Sequence, residues 1–432
     1  MDSFETISDG RVHVHMLRHS NYRTKEFSIR LHTPIRRDRV TATALLPHMW
    51  MNGTDGRPST TLLTIAADDL YGTLVRSSLG KRGGKHILQV DASIPDVTGL
   101  TEESVVDRAI DLACDVLFDH TADKGCFSAP AVAQEIDLHR RRIEAARDDK
   151  MSYALQRCLA HVAENTPAAL PRLGYLDDLP QLTPATLFDV YLALLETSEI
   201  HAYLVGPYAD LTETADKLLA KLRGILPKSQ AVRRDSPSGA EVLPRKSSRS
   251  FQKVTERQDV AQAQLDIAYR TGIGFGDDRY PALLMLNGVF GGFTHSKLFL
   301  NVREKHSLAY TVWSHLDLMT GVLAVMTGIS PDNYDKAVDI VEQQLEEIRA
   351  GKISDAEMEF TVRALENQYT LMSDGPAALA NWHYTGVLSG AARDVDQLIQ
   401  DLRRVGKDDL VQVAQEIEPS TIYFLTREEG TA

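Results

Sequence analysis

Polar residues alternate with apolar or β-favouring ones along Arg11–Arg18 and again along Glu26–Thr33, which predicts two adjacent strands with one solvated face. The period then lengthens. Val40–Met51 and Ser59–Leu70 read as helices, the second opened by the start signal Arg57-Pro58-Ser59-Thr60. A strand pair is predicted across Gly83-Gly84, joining Leu74–Leu79 to His86–Asp91. A helix from Thr101 follows, whose Thr-Glu-Glu-Ser start reads as a capped terminus. One long amphipathic stretch covers Pro130–Val162, and the helix Pro184–Glu196 precedes the apolar strand Ile200–Val205.

Residues 227–250 break this rhythm, being rich in Ser and Pro with six basic residues against two acidic ones, and read as an exposed interdomain linker. After it the order begins again. Strands are predicted near Gln252–Glu256 and Gln262–Tyr269, helices at Ala282–Phe290 and Ser296–Lys305, and strands at Tyr310–Leu316 and Gly321–Thr327. Helices Asp332–Ala350 and Asp355–Met372, a short pair around Asp396–Ile417 and a last strand Thr421–Leu425 complete the chain. Ser59-x-x-Leu62 followed by Leu70-Tyr71-Gly72 has a counterpart in Ser296-x-Leu298 followed by Leu308-Ala309-Tyr310. The halves are offset by about 237 residues, far too long for a solenoid repeat. The expected fold class is therefore α+β: two homologous domains, 1–226 and 251–432, each a mostly antiparallel sheet covered on one face by helices, joined by the linker 227–250.

Composition narrows the function classes. The 432 residues carry 47 Lys and Arg against 60 Asp and Glu, a formal charge of −13. That balance argues against a protein whose main work is gripping phosphate backbones, so no nucleic-acid partner is expected. Cys114, Cys126 and Cys158 form neither an even set nor a C-x-x-C pair, which fits a reducing cytoplasm better than a disulfide framework. No signal-peptide core opens the sequence and no run of 18 apolar residues occurs, so neither export by that route nor membrane insertion is expected.

Standard local motifs are scarce: there is no G-x-x-x-x-G-K-[ST], H-E-x-x-H or G-x-S-x-G. Gly272-x-Gly274-x-Gly276 has the wrong spacing for a dinucleotide loop and reads as a turn leading to Asp277-Asp278, and Asn52-Gly53-Thr54 is a chance match to the glycosylation triplet. Fourteen histidines are scattered. His13 and His15 share one strand face without a third ligand nearby in sequence and read as solvated strand residues, while His139 sits among Arg140, Arg141 and Arg142, which would repel a cation.

Two stretches are more specific: Ala42–Thr54, which includes Ala44-Leu45-Leu46-Pro47-His48, and 291–310, a Gly-Gly turn, a Ser-x-Leu-Phe helix, Arg303-Glu304-Lys305 and Leu308-Ala309-Tyr310. With the duplicated order of elements, they resemble the pitrilysin/insulinase-type zinc peptidases over almost the whole chain. In catalytic members of that family a helix carries His-x-x-Glu-His, two imidazoles holding zinc and a Glu activating its water. The resemblance places Ala44 at the first His, Pro47 at the Glu and His48 at the second His. It places Arg142 at the third ligand, a Glu on a later helix, and matches Glu135 to an upstream carboxylate that is not itself a ligand. A guanidinium cannot bind Zn²⁺, and one imidazole is short of a three-ligand set, so no metal or cofactor is expected in this chain. The resemblance also implies that Arg303 and Tyr310, an Arg and a Tyr seven residues apart, reach the substrate held at the zinc.

A substrate-positioning pair without a metal site makes chemical sense beside a chain with the opposite set. The resemblance is to the non-catalytic subunit of bacterial two-chain members, inactive alone. It implies a homologous zinc-binding partner with an intact His-x-x-Glu-His, and unfolded or small ribosomally made peptides as substrates. The rival from another class is a non-proteolytic scaffold or peptide-binding protein of the same fold, which would have no chemical reason to hold both Arg303 and Tyr310. A self-sufficient hydrolase using Ser250-x-x-Lys253 would rest on a bare spacing without a supporting motif.

Overall fold

The computed structural model describes residues 3–96, 103–120, 125–227, 241–246 and 251–428. The start of the helix predicted from Thr101, most of the segment 227–250 and Ser250 lie outside the described residues. In chain order the first half holds β1 (Glu5–Asp9), β2 (Val12–Arg18), β3 (Thr24–Pro34), α1 (Val40–Trp50), α2 (Thr60–Asp68), β4 (Leu74–Arg82), β5 (Lys85–Pro95), α3 (Glu103–Phe118), α4 (Ala129–Asp148), α5 (Lys150–Val162), α6 (Pro184–Thr197), β6 (Glu199–Gly206) and α7 (Leu211–Ile225). The second half holds β7 (Gln252–Arg257), β8 (Ala263–Arg270), α8 (Tyr280–Asn287), β9 (Ala309–Asp317), β10 (Val322–Ile329), α9 (Tyr334–Arg349), α10 (Asp355–Ser373), α11 (Pro376–Ser389), α12 (Val395–Arg404), α13 (Lys407–Glu416) and β11 (Glu418–Thr426). The segments Gly288–Gly292 and Phe299–Lys305 are wide π-type turns of helix.

The fold is α+β, with one sheet of six and one of five mostly antiparallel strands among the described residues. The first runs β1-β2-β6-β3-β5-β4 and the second β7-β11-β8-β10-β9. In the first, β6 is parallel to β2 and antiparallel to β3; in the second, β11 is parallel to β7 and antiparallel to β8. Apart from β1, the two sheets therefore share one strand order and one set of directions, the topological form of the duplication. The helix caps repeat too: Ser59 accepts from the Leu62 amide, and Ser296 Oγ from the Phe299 amide at 3.4 Å. Each of these helices leads into its next strand through a left-handed residue, Tyr71 (φ 58°) and Ser307 (φ 51°).

Several local expectations change. The strands β2 and β3 are not adjacent, because β6 lies between them. The stretch 130–162 is two helices, since Asp149 leaves the helical conformation and its side chain accepts from the Ser152 amide at 3.2 Å to start α5. The end of the expected linker is not an exposed spacer: Leu243 is buried and its amide donates to the Thr320 carbonyl at 2.8 Å. By contacts the chain forms two compact units, Met1–Glu144 with Leu170–Pro237 and Asp374–His383, and Ala145–Ala169 with Ser238–Ser373 and Tyr384–Ala432. Each unit thus takes a segment from the other half of the chain.

In the first unit the alternate residues Val12, Val14 and Met16 of β2, Phe27, Ile29 and Leu31 of β3, and Ile200, Ala202 and Leu204 of β6 form one buried core with α1, α3 and α6. In the second unit α5 packs through Ala154, Cys158 and Val162 against Ala268, Tyr423 and Leu425, on the sheet face from which Leu265, Ile267 and Tyr269 point away. Cys114 and Cys158 are buried, and all three cysteines are free thiols.

The entry to α1 is held tightly. Thr41 Oγ1 donates to Asp178 Oδ2 at 2.5 Å and accepts from the Tyr175 amide at 3.0 Å, and Gly174 (φ 77°) lies against it. A Cβ on Gly174 would fall 2.2 Å from Thr41 Oγ1 and 2.5 Å from its Cα. Gly174→Ala should lower stability by about 2 kcal/mol or more through strain and overpacking, seen as a lower denaturant midpoint. An unchanged midpoint would contradict this packing.

Candidate functional site

Helix α1 is buried along nearly its whole length, and His48 is its half-buried residue. Pro47 is inside the helix, where it removes an amide donor, and its carbonyl accepts from Ser77 Oγ on β4. Ala44 is wholly buried. Helix α4 turns Val132, Glu135, His139 and Ile143 inward, the three-and-four spacing of one helical face. His139 Nε2 donates to the Leu173 carbonyl at 2.8 Å, which seats this face.

Between these helices the Glu135 side chain, 2% exposed, is paired with the Arg142 guanidinium two helical turns along. Burial pushes the Glu135 carboxyl up, and Arg142 and the Asn52 side chain, both hydrogen-bonded to it, pull it partly back. His48 is pushed down to about 4, first by burial and then by the positive field of Arg142 and its neighbours His139 and Arg172. Burial likewise lowers His139. The positions laid on the zinc motif therefore offer one imidazole, a methyl group, a proline ring and a guanidinium committed to a carboxylate. That donor set does not fit a three-ligand zinc site, nor does it hold a base for its water.

In the second unit the Gly-Gly turn is dictated by space: a Cβ on Gly291 would meet Ser314 Oγ at 2.7 Å. The helix after it is tied down by the Lys297–Glu357 ion pair at 2.9 Å and by Asn301 Nδ2, which donates to Gln344 Oε1 at 2.8 Å. It carries Arg303 in its last turn and ends at Lys305, and the chain turns through Ser307 into β9, an edge strand. Tyr310, at the start of β9, is 78% exposed and so is not a core aromatic. The Arg303 guanidinium carbon lies 5.4 Å from the Tyr310 ring centroid and 4.6 Å from that of Phe299, within cation–π range. Ala44, Pro47, His48, Glu135 and Arg142 thus come together in the first unit, and Arg303 and Tyr310 in the second.

A second cluster in the first unit was not foreseen. His13 and His15 are not simply solvated: His15 is 3% exposed, and its Nε2 lies 2.9 Å from His201 Nδ1, 186 residues away. The sheet face opposite α1, α3 and α6 carries His13 and His15 of β2, Glu199, His201 and Tyr203 of β6, and Arg30 and His32 of β3, with His383 of α11 bonded to the Tyr203 hydroxyl at 3.0 Å. Burial lowers His201 to about 4 and pushes His15 far down. The detectable signal was the pairing of His13-x-His15 with Glu199-x-His201, polar residues at alternate positions in otherwise apolar strands.

A duplicated α+β fold of this topology defines the class of a metallopeptidase homologue. Residues 181–365 match the Peptidase M16 inactive domain. The chain is 30% identical over 424 residues, 98% of its length and 97% of the relative's, to the probable inactive metalloprotease YmfF of Bacillus subtilis (strain 168). Its fold matches a conserved protein from Enterococcus faecalis V583 with a TM-score of 0.89 at 27% identity, over 99% of this chain and 100% of that one. The peptidase M16 inactive domain from Pseudomonas fluorescens shares the fold, with a TM-score of 0.78 at 15% identity over 99% of each chain. The chain belongs to the pitrilysin-type M16 metallopeptidase family, as an inactive member. Among the described residues no helix is long and apolar enough to cross a membrane.

Removing Arg142 tests the ion pair. Arg142→Ala should cost about 3 kcal/mol near pH 8, because it leaves a buried carboxylate without its cation. The folded Glu135 carboxyl already titrates above its ordinary range, so the folded state holds a proton that the unfolded state has released, and stability falls as pH rises through that window. The variant should therefore recover stability on acidification toward the carboxylate range, measured by urea unfolding between pH 8 and 5. A pH-independent deficit would rule out this account of Glu135.

Proposed function

We propose that this chain is the zinc-less partner subunit of a heterodimeric zinc endopeptidase acting on unfolded or small ribosomally made peptides in the cytoplasm. A homologous subunit with an intact His-x-x-Glu-His would supply metal and base. The observation that carries the reading is the pairing of an outward-facing Tyr310 with Arg303 at the start of an edge strand, in a chain whose own zinc motif lacks its donors.

In this reading the chain's residues bind and position. The planar guanidinium of Arg303 hydrogen-bonds peptide carbonyls, and stacking on Phe299 limits its rotamers. The Tyr310 hydroxyl donates to the oxyanion that develops at the attacked carbonyl. The edge of β9, where Trp313 is also exposed, suits an extended peptide that adds by main-chain hydrogen bonds irrespective of its side chains.

Two expectations follow. In the complex assembled with the zinc-binding subunit, Tyr310→Phe should lower kcat on a quenched peptide by about 10²-fold, the scale of one lost oxyanion donor, without changing subunit affinity. Unaltered turnover would favour the scaffold reading instead. In the isolated chain, Ala44→His with Pro47→Glu should yield no zinc-dependent cleavage while Arg142 stands at the third ligand position. Measurable cleavage by that double variant would show that another residue supplies the third donor.

A further inference from the structure

We propose that His13, Glu199 and His201, on the face of the first sheet opposite α1, α3 and α6, form a binding site for a divalent transition-metal cation of the Zn²⁺ type. The inference concerns residues outside the zinc-motif positions, and so a cation other than the catalytic zinc that the chain is read as lacking, and stands independently of the reading above.

Strand pairing builds the site. The parallel register of β2 on β6 sets His13 directly beside His201, and Glu199, two residues before His201, projects from the same face. One ligand atom from each of the three residues lies within 4.8 Å of the other two. Glu199 Oε2 is 3.7 Å from His201 Nε2, and His32 Nε2, from the strand on the other side, is 3.4 Å from the same oxygen.

The outer hydrogen bonds select the nitrogens. His13 Nδ1 lies 2.8 Å from Ser8 Oγ, and His201 Nδ1 lies 2.9 Å from His15 Nε2. His15 Nδ1 in turn meets Thr6 Oγ1 at 2.8 Å. His13 and His201 thus each have Nδ1 engaged outward, by Ser8 or by His15, and His201 Nε2 faces the Glu199 carboxylate. That division of roles is how metal-bound imidazoles are oriented by their outer partners. The register of β1 on β2, Ser8 opposite His13 and Thr6 opposite His15, supplies both hydroxyls.

The donor chemistry chooses the cation. Two imidazoles and one carboxylate suit borderline metals such as Zn²⁺, whereas Ca²⁺ and Mg²⁺ demand shells of oxygen. Three protein ligands leave at least one coordination position for water or a ligand atom. Bound there, the cation would join β1–β2, at the sheet margin, to the central strand β6.

The test uses the full chain, stripped with chelator and titrated with Zn²⁺ against a chromophoric competitor. One equivalent should bind and raise Tm. Glu199→Gln and His13→Ala should each weaken binding by at least about 10-fold, and Ser8→Ala by about 10-fold through the outer bond alone. Ser8 is exposed, so its variant keeps the test decisive if a change at the ligands impairs folding. His48→Ala should leave binding unchanged. Absence of binding, binding indifferent to His13→Ala and Glu199→Gln, or binding lost in His48→Ala would each overturn the proposal.

Discussion

Each sheet depends on one long-range event, the return of its final strand to lie parallel to an early one, β6 beside β2 and β11 beside β7. In the first sheet β6 enters between β2 and β3, and in the second β11 enters between β7 and β8. A parallel neighbour cannot be reached by a tight turn, so each half needs a crossover whose intervening elements provide the helical layer. The inserted strand is then covered by hydrogen-bonded neighbours on both edges. In the first unit its alternate residues divide, with Ile200, Ala202 and Leu204 in the core and Glu199, His201 and Tyr203 on the polar face.

In that unit a buried ion pair lies at the positions laid on the zinc motif. A buried carboxylate requires a positive charge, and at Glu135 the charge is a covalent part of the chain, the Arg142 guanidinium. Burial, and after it the same charge, depress His48 to about 4.

The duplicated halves spend their equivalent positions differently. The first helix is a nearly all-buried rod in both, α1 and α8, but the following helix leads into a turn at exposed Tyr71 in one and past Arg303 to exposed Tyr310 in the other. The shared left-handed residue ahead of β4 and β9 shows that backbone geometry was retained while the side chains diverged.

Local pattern alone determined most elements and the duplication. The period-2 strands Arg11–Arg18 and Glu26–Thr33, the helix Val40–Met51 and the capped start at Ser59 all rest on residues within a few positions of one another. The spacing of Ala44, Pro47 and His48, and of Arg303 and Tyr310, was legible for the same reason. Tertiary structure decided what depends on distant partners: that β6 separates β2 from β3, that Arg142 pairs with buried Glu135, and that 145–169 and 374–383 each join the other half's unit. It also decided that His13 stands beside His201 and Glu199. No local period encodes a contact across 186 residues; only the strand register, set when the whole sheet assembles, brings such side chains to one face.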